Sequence, residues 1–193
     1  MKLDESFYTR NDVVKISREL LGKVLLTNFR NKITAGIITE TEAYEGITDR
    51  ASHAYNNRRT QRTETMYSKG GTAYVYLCYG IHSLFNVVTN KINIPHAVLI
   101  RSVFPVEGID VMSRRRKLKS VTKNFSSGPG TVSQALGIHY SHSGESLQGN
   151  KIWIEDKGIK ISSSQIQISK RIGVDYAGKD AHLPYRFFID YKS

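Results

Sequence analysis

Segments of β-strand composition crowd this chain. They fall at about 23–29, 33–43, 72–79, 84–90 and 97–104, with shorter ones at 152–154, 158–161, 165–170 and 186–191. Strands this numerous and this close in sequence pair most readily as antiparallel neighbours, because a parallel pair needs a crossover of a dozen or more residues. Helices are fewer. Asn11 and Asp12 are N-cap candidates for one that carries Val13, Val14, Ile16, Leu20 and Leu21 on one side, and Gly22 is placed to end it. A second is predicted over about 106–116, and a short third follows Pro129 and stops at Gly137. The pattern is that of a mixed α+β fold, a mainly antiparallel sheet flanked by helices. At 193 residues it fits a single domain, 1–193, with a real core.

Two linking segments stand out. Residues 45–69 form a long polar loop containing Arg58, Arg59 and Arg62, and a loop of that length is either functional or disordered. Residues 120–130 are rich in Ser, Gly and Lys and read as mobile. Lys and Arg number 28 against 17 Asp and Glu, a formal charge of +11 that points to a polyanionic partner. Nucleic acid, the ribosome and an anionic membrane surface would all satisfy it. No apolar run approaches the roughly 20 residues that span a bilayer, and no signal-peptide pattern opens the chain, so a cytoplasmic protein without a membrane partner is expected. The single Cys78 excludes an intramolecular disulfide and any Cys-rich zinc site.

Two segments carry chemistry. In Thr39-Glu40-Thr41-Glu42-Ala43-Tyr44, two-residue alternation puts Glu40, Glu42 and Tyr44 on one strand face. A carboxylate beside an aromatic, just before a long polar loop, suits a pocket that holds a flat ring; a Glu on the wet face of an edge strand fits the same pattern. In the run 72–82, Tyr74, Tyr76 and Cys78 share one face, and Gly80 lets the chain turn directly after Tyr79. Tyr79 then sits at a hairpin tip, where an aromatic on a basic protein can wedge between stacked bases. Ordinary strand packing is the other reading, and for Tyr74 it is the expected one.

The ordered set of motifs resembles the 3-methyladenine (alkyladenine) DNA glycosylase family. It includes Glu40-Thr41-Glu42-Ala43-Tyr44, His53, Met66, Tyr74-Val75-Tyr76, Tyr79-Gly80-Ile81-His82 and Asn86-Val87-Val88. Leu99-Ile100-Arg101, Ser127-Gly128-Pro129-Gly130, Arg171-Ile172-Gly173-Val174 and Pro184-Tyr185-Arg186-Phe187 extend it through most of the chain. The resemblance implies a curved, barrel-like sheet with a protruding β-hairpin. It also implies a monomeric, cofactor-free and monofunctional enzyme of base-excision repair, acting on double-stranded DNA and nucleoid-associated if bacterial. Its action would be to flip alkylated or deaminated purines (the 3-methyladenine, 7-methylguanine, hypoxanthine and ethenoadenine class) out of the duplex and hydrolyse the N-glycosidic bond.

Residue roles follow from the same resemblance. Glu42 would activate the attacking water, Arg101 would help place it, and the main-chain carbonyl of Ile172 would contact it. Tyr44, His53 and Tyr76 would sandwich the everted base, and Tyr79 would fill the vacated stack. Asn86 would crowd the guanine 2-amino group, and Met66 would make a minor contact at the DNA surface. Thr63, Tyr67 and Gly70-Gly71 depart from the family pattern within the loop beside the DNA, which bears on lesion range.

Other signals carry less. His139-x-x-His142 has no third ligand nearby, so no metal centre is expected. Gly128-Pro129-Gly130-Thr131 lacks the Lys and spacing of a phosphate loop, and no Gly-x-Ser-x-Gly elbow is present. No lysine stands out as a Schiff-base nucleophile, which argues against a bifunctional glycosylase/lyase. The basic run at 114–119 is a solvated face that can add phosphate contacts. A non-catalytic module that stacks RNA or single-stranded DNA on Tyr74, Tyr76 and Tyr79 is the rival function.

Overall fold

Side-chain alternation along the strands divides this protein into a helix-covered face and a face that carries the polar pocket. The computed structural model describes residues 1–122 and 124–191. Helices α1 (Glu5–Tyr8) and α2 (Val13–Glu19) come first, then strands β1 (Val24–Phe29), β2 (Lys32–Tyr44), β3 (Ala73–Cys78), β4 (His82–Thr89) and β5 (His96–Glu107). Helices α3 (Ile109–Arg116) and α4 (Pro129–Leu136) follow, and the short strands β6 (Ile152–Glu155), β7 (Gln167–Ser169) and β8 (Arg186–Phe188) complete the set.

The fold is a single mixed α+β domain around one eight-stranded antiparallel sheet, ordered β3-β4-β5-β2-β1-β6, with β8 on β2 and β7 on β8. It branches because β2 is long. One edge of β2 pairs with β5, while the other takes β1 as far as Ile37 and β8 at Glu40–Glu42. The sheet stays open, so the barrel-like expectation does not extend to closure. Between β2 and β5 the register slips three times, once at Ala35/Gly36 and twice around Glu40. Thr39 is left out on one strand and Arg101 on the other, because Ile38, Glu40 and Thr41 pair with Val103, Ser102 and Ile100. Such bulges re-aim side chains.

Asp12 caps α2 by accepting from the Lys15 N–H at 2.8 Å. The apolar side of α2 then joins Leu25, Ile38, Ile100 and Phe187 in the main core, with Val132 and Leu136 of α4. Each fully buried aliphatic chain contributes about 1.5–3 kcal/mol. Ser17 on α2 hydrogen-bonds Thr41 at 3.0 Å, so Thr41 faces the helices. Alternation then turns Glu40 and Glu42 to the opposite side.

Several expectations need correcting. The helix predicted from 106 starts at Ile109, because β5 runs on to Glu107 and the chain turns at Gly108 with φ 69°. A Cβ on Gly108 would lie 2.3 Å from the Ile33 carbonyl oxygen, so only glycine fits there. Residues 158–161 form no strand. The segment 120–130, read as mobile, is fastened: Phe125 is buried, and Ser126 exchanges hydrogen bonds with Val103 at 2.6 and 3.1 Å. Lys123 lies outside the described residues.

The long loop after β2 is also built. It contains 3-10 turns at Tyr55–Asn57 and Glu64–Tyr67. Thr63 Oγ1 ties it internally by accepting from the Thr60 N–H at 2.8 Å and donating to the Arg58 carbonyl at 3.0 Å. Met66 and Tyr67 pack beneath it against Ala54, Tyr74 and Val88.

Candidate active site

Glu42, near the end of β2, has 0% of its surface exposed. An unpaired carboxylate there would cost several kcal/mol, so its partners matter. Its Oε2 accepts from the Tyr44 hydroxyl at 2.8 Å, and its Oε1 accepts from the Ile172 N–H at 2.8 Å. Arg101 Nε stands 3.4 Å from the same Oε1 and donates to Glu40 Oε1 at 3.0 Å. Arg101 reaches this spot because it is the residue left out of the β2–β5 register. A carboxylate offers about four acceptor sites. Tyr44 and Ile172 use two, and Arg101 adds an ion pair without a hydrogen bond, leaving room for a further donor. Burial raises the Glu42 carboxyl above its ordinary value, outweighing Arg101, the Ile172 N–H and the Tyr44 hydroxyl, which all lower it; the Glu40 charge adds to the rise.

Aromatic walls stand beside this carboxyl. Tyr44 on β2 and Tyr76 on β3 are separated in the sheet by β4 and β5, and both line the same cavity of about 180 Å³. His53 comes from the loop. Its Nδ1 lies 2.9 Å from the Tyr74 hydroxyl, and its ring meets Tyr76 edge-on at 4.7 Å. Burial, and then the charges of Arg62 and Arg58, push His53 down to about 4, so it is neutral at pH 7. Arg62 lies 5.1 Å over the Tyr76 ring. Asn86 is buried in the wall with its Nδ2 donating to the Tyr74 and Leu84 carbonyls at 3.2 and 3.3 Å.

Tyr79 is 93% exposed at the tip of the β3–β4 hairpin. Its φ is 51° and that of Gly80 is 72°. The left-handed region costs a residue with a Cβ roughly 1–2 kcal/mol. Such strain persists where function needs it. Leu77 and Ile81 are exposed beside it, so the tip is apolar as a whole.

One residue sits otherwise than expected. Met66 is 2% exposed and lines the pocket, so it is not part of the outer surface. Ile172 also contacts Glu42 directly, through its N–H.

Three features went unread in the sequence. Tyr74, expected to be ordinary packing, lines the pocket and holds His53. Tyr176 stands at the pocket mouth with its hydroxyl donating to the Ala51 carbonyl at 3.1 Å. Arg171 is buried and paired with Asp49, and donates to the Ala43 carbonyl at 2.9 Å. Its guanidinium lies 4.7 Å over Tyr44. It thus fastens both Tyr44 and the segment that presents Ile172. One arginine among 28 basic residues gives no sequence signal of this; its place in Arg171-Ile172-Gly173-Val174 was the available clue.

His139 and His142 form a reciprocal cap on a 3-10 turn. Among the described residues no group of three or more His, Cys, Asp or Glu is placed to hold a metal ion. Two clefts are larger than the ring-lined pocket. One of about 870 Å³ lies between α2 and residues 158–166, and one of about 470 Å³ lies beside Glu40. The first has no buried carboxyl in its lining, and in the second Glu40, although set among Phe104, Phe125 and Phe188, is tied to Arg101 and Arg186. The smaller cavity is lined by Tyr44, Arg101 and Ile172, the three neighbours of the fully buried Glu42, so chemistry, and not size, marks it as the site.

Fold and site together define a class: an open antiparallel sheet holding a buried carboxyl against a ring-lined slot, beside an exposed aromatic hairpin tip. The chain belongs to the methylpurine-DNA glycosylase family, whose model matches residues 6–193. It is 49% identical over 191 residues to a Chlamydia felis protein provisionally named a 3-methyladenine DNA glycosylase, an alignment covering 98% of this chain and 97% of that one. A Clostridium perfringens protein with the same provisional name is 42% identical over 197 residues, covering 98% and 96%. One from Desulfitobacterium hafniense is 39% identical over 196 residues, covering 98% and 95%. By family the protein is a DNA glycosylase of DNA repair, with DNA as its substrate. Among the described residues no helix is long and apolar enough to cross a membrane.

Proposed function

We propose that this protein excises alkylated and deaminated purines from duplex DNA, the 3-methyladenine, 7-methylguanine, hypoxanthine and ethenoadenine class, by hydrolysing the N-glycosidic bond. The observation that carries this reading is Glu42: fully buried, fixed by three neighbours, and set against a slot walled by Tyr44, His53 and Tyr76. The slot, at about 180 Å³, is below the roughly 300–1,000 Å³ of pockets that take drug-sized ligands. One flat base suits it.

N-glycosidic cleavage develops oxocarbenium character at C1′. The Glu42 carboxylate stabilises that positive charge and takes the proton of the attacking water, for which acceptor capacity remains beside the Tyr44 and Ile172 bonds. Cationic N3- or N7-alkylpurines are attracted to tyrosine faces by roughly 0.5–2 kcal/mol. A neutral His53 adds no repulsion. Damaged bases are also cheaper to evert than paired ones. Tyr79, already held outward at the hairpin tip, fills the gap left in the stack. Asn86, its amide nitrogen pinned to two carbonyls, presents a fixed obstacle to the 2-amino group of guanine. No lysine is among the described residues lining the pocket, which supports hydrolysis without a covalent imine. Tyr74 is buried in the wall and does not form an open stacking platform, which weighs against the binding module.

The test is release of free base from duplexes carrying hypoxanthine or 3-methyladenine. Wild type should release it, Glu42→Gln should be slower by about 10²–10⁴-fold, and borohydride should trap no protein–DNA adduct. Binding without release by wild type would contradict the proposal.

A further inference from the structure

The site holds a second carboxylate that no step above uses. Glu40 has a side chain only 13% exposed, and its Oε1 accepts from Arg101 Nε at 3.0 Å and from Arg186 Nε at 2.6 Å. Arg186 comes from β8, where its Cα is paired with Glu42, and its Nη1 donates to Ser169 on β7 at 3.1 Å. Arg101 is 12% exposed and lies between the two carboxylates, with its Nε nearer Glu40 than Glu42. Two carboxylates and two guanidiniums thus share one buried patch, and Arg101 has two anions to choose from.

That choice has chemical consequences. A guanidinium matches a carboxylate best in a two-bond fork. If Arg101 closed such a fork on Glu42, it would cover the free acceptor site and neutralise the charge that faces C1′. Glu40 competes for Arg101 at the short distance, and Arg186 fixes Glu40 so that it can. The register slip at Thr39 and Arg101 puts the competitors in reach of one another.

We propose that Glu40, clamped by Arg186, is a positioning residue that holds Arg101 off Glu42 and so keeps the Glu42 carboxylate open to water. This rests on the hydrolytic reading of Glu42. The charged and titratable groups around Glu42 are Glu40 and Tyr44 on β2, Arg101 on β5, Arg186 on β8, and Arg171 and Tyr176 from the segment before β8. Replacing Glu40 by Gln removes one anion and frees Arg101. Both changes favour ionised Glu42, so its titration moves to lower pH. The lost charge contributes to that shift whether or not Arg101 moves, so the clamp is read from the shift together with slower excision at unchanged DNA affinity.

The test has an arm that does not need catalysis. Carbon-13 carboxyl NMR on glutamate-labelled protein follows Glu42 across pH in wild type and in Glu40→Gln. A folded Glu40→Gln protein should titrate Glu42 at lower pH and excise base slower by on the order of 10²-fold, with DNA affinity unchanged. Glu42 titrating as in wild type, or an excision loss matched by an equal loss of DNA affinity, overturns the proposal. Glu40→Asp, which shortens the arm by one methylene, serves if the Gln variant does not fold. Slower excision at unchanged affinity is expected of it, and a wild-type rate overturns the clamp. A wild-type protein that releases no base sinks the hydrolytic reading, while a Glu42 titration unmoved in Glu40→Gln would still overturn the clamp.

Discussion

Tyr44 is asked to do two things at once. Its ring lines the pocket, and its hydroxyl donates to Glu42 Oε2 at 2.8 Å. Tyr44→Phe separates them, because the ring stays and the donor goes. A hydrogen bond to a charged group contributes about 1.5–3 kcal/mol, so the base-release rate should fall by roughly tenfold or more. The hydroxyl favours the ionised carboxylate and lowers the Glu42 titration, so losing it should move the acid limb of the rate profile to higher pH. An acid limb that stays in place would mean that the hydroxyl does not act on Glu42. The direction is opposite to that expected for Glu40→Gln, which separates the two neighbours in one assay. Asn86 offers a specificity check at the same scale. Asn86→Ser removes the obstacle, so excision of normal or methylated guanine should rise relative to hypoxanthine, and an unchanged ratio would refute its role.

The β3–β4 hairpin and the segment after β7 show how elements deliver these residues. Tyr79 is exposed and strained at its tip, with no neighbour around Gly80 within 4 Å of where a Cβ would lie. Tyr79→Ala should therefore change stability by no more than about 1 kcal/mol while reducing base release. A large drop in Tm would show instead that Tyr79 is part of the core. Asp49 and Arg171 behave in the opposite way. Leaving a buried charge without its partner costs about 3–5 kcal/mol, or roughly 6–20 °C in Tm at this length, so Asp49→Ala should be severely destabilised in a thermal melt. A melt within a few degrees of wild type would refute that strut.

The strands were legible because β-branched and aromatic runs with period two depend on local composition. Alternation assigned Glu42, Tyr44 and Tyr76 to faces of their own strands, but their meeting across the sheet was implied only by the family resemblance. The Arg101 bulge was not legible, because register depends on how two distant strands meet. The folded state of residues 45–69 was hidden too: its anchors are Thr63 bonds and the burial of Met66, neither of which has a periodic signature.

Over the whole molecule, the proposed function divides the work of binding between a charge of +11 and a pocket of about 180 Å³. On that reading phosphate contacts supply affinity, and the pocket supplies selection. Affinity for duplex DNA should fall linearly with salt on a log–log plot, with a slope near −0.9 per phosphate contacted. A flat plot would mean that the basic surface does not meet the backbone. The ratio of rates between lesions should change far less, because the rings and Asn86 are buried from bulk ions. His53 ties stability to pH as well. Its folded value near 4 lies below the ordinary 6.5, so the unfolded chain takes up a proton first as pH falls through that window. Stability should decline between about 6.5 and 4, by up to about 3 kcal/mol from this group.

The most direct measurement of the central claim is the single-turnover rate of base release against pH for wild type and Glu42→Gln on a hypoxanthine duplex. Wild type should show a rate that rises with pH through a midpoint above the ordinary glutamate value of 4.5. The variant should lose that limb along with about 10²–10⁴-fold of the rate. A Glu42→Gln protein that releases base at the wild-type rate, with the acid limb intact, would contradict the assignment of Glu42 as the group that activates water.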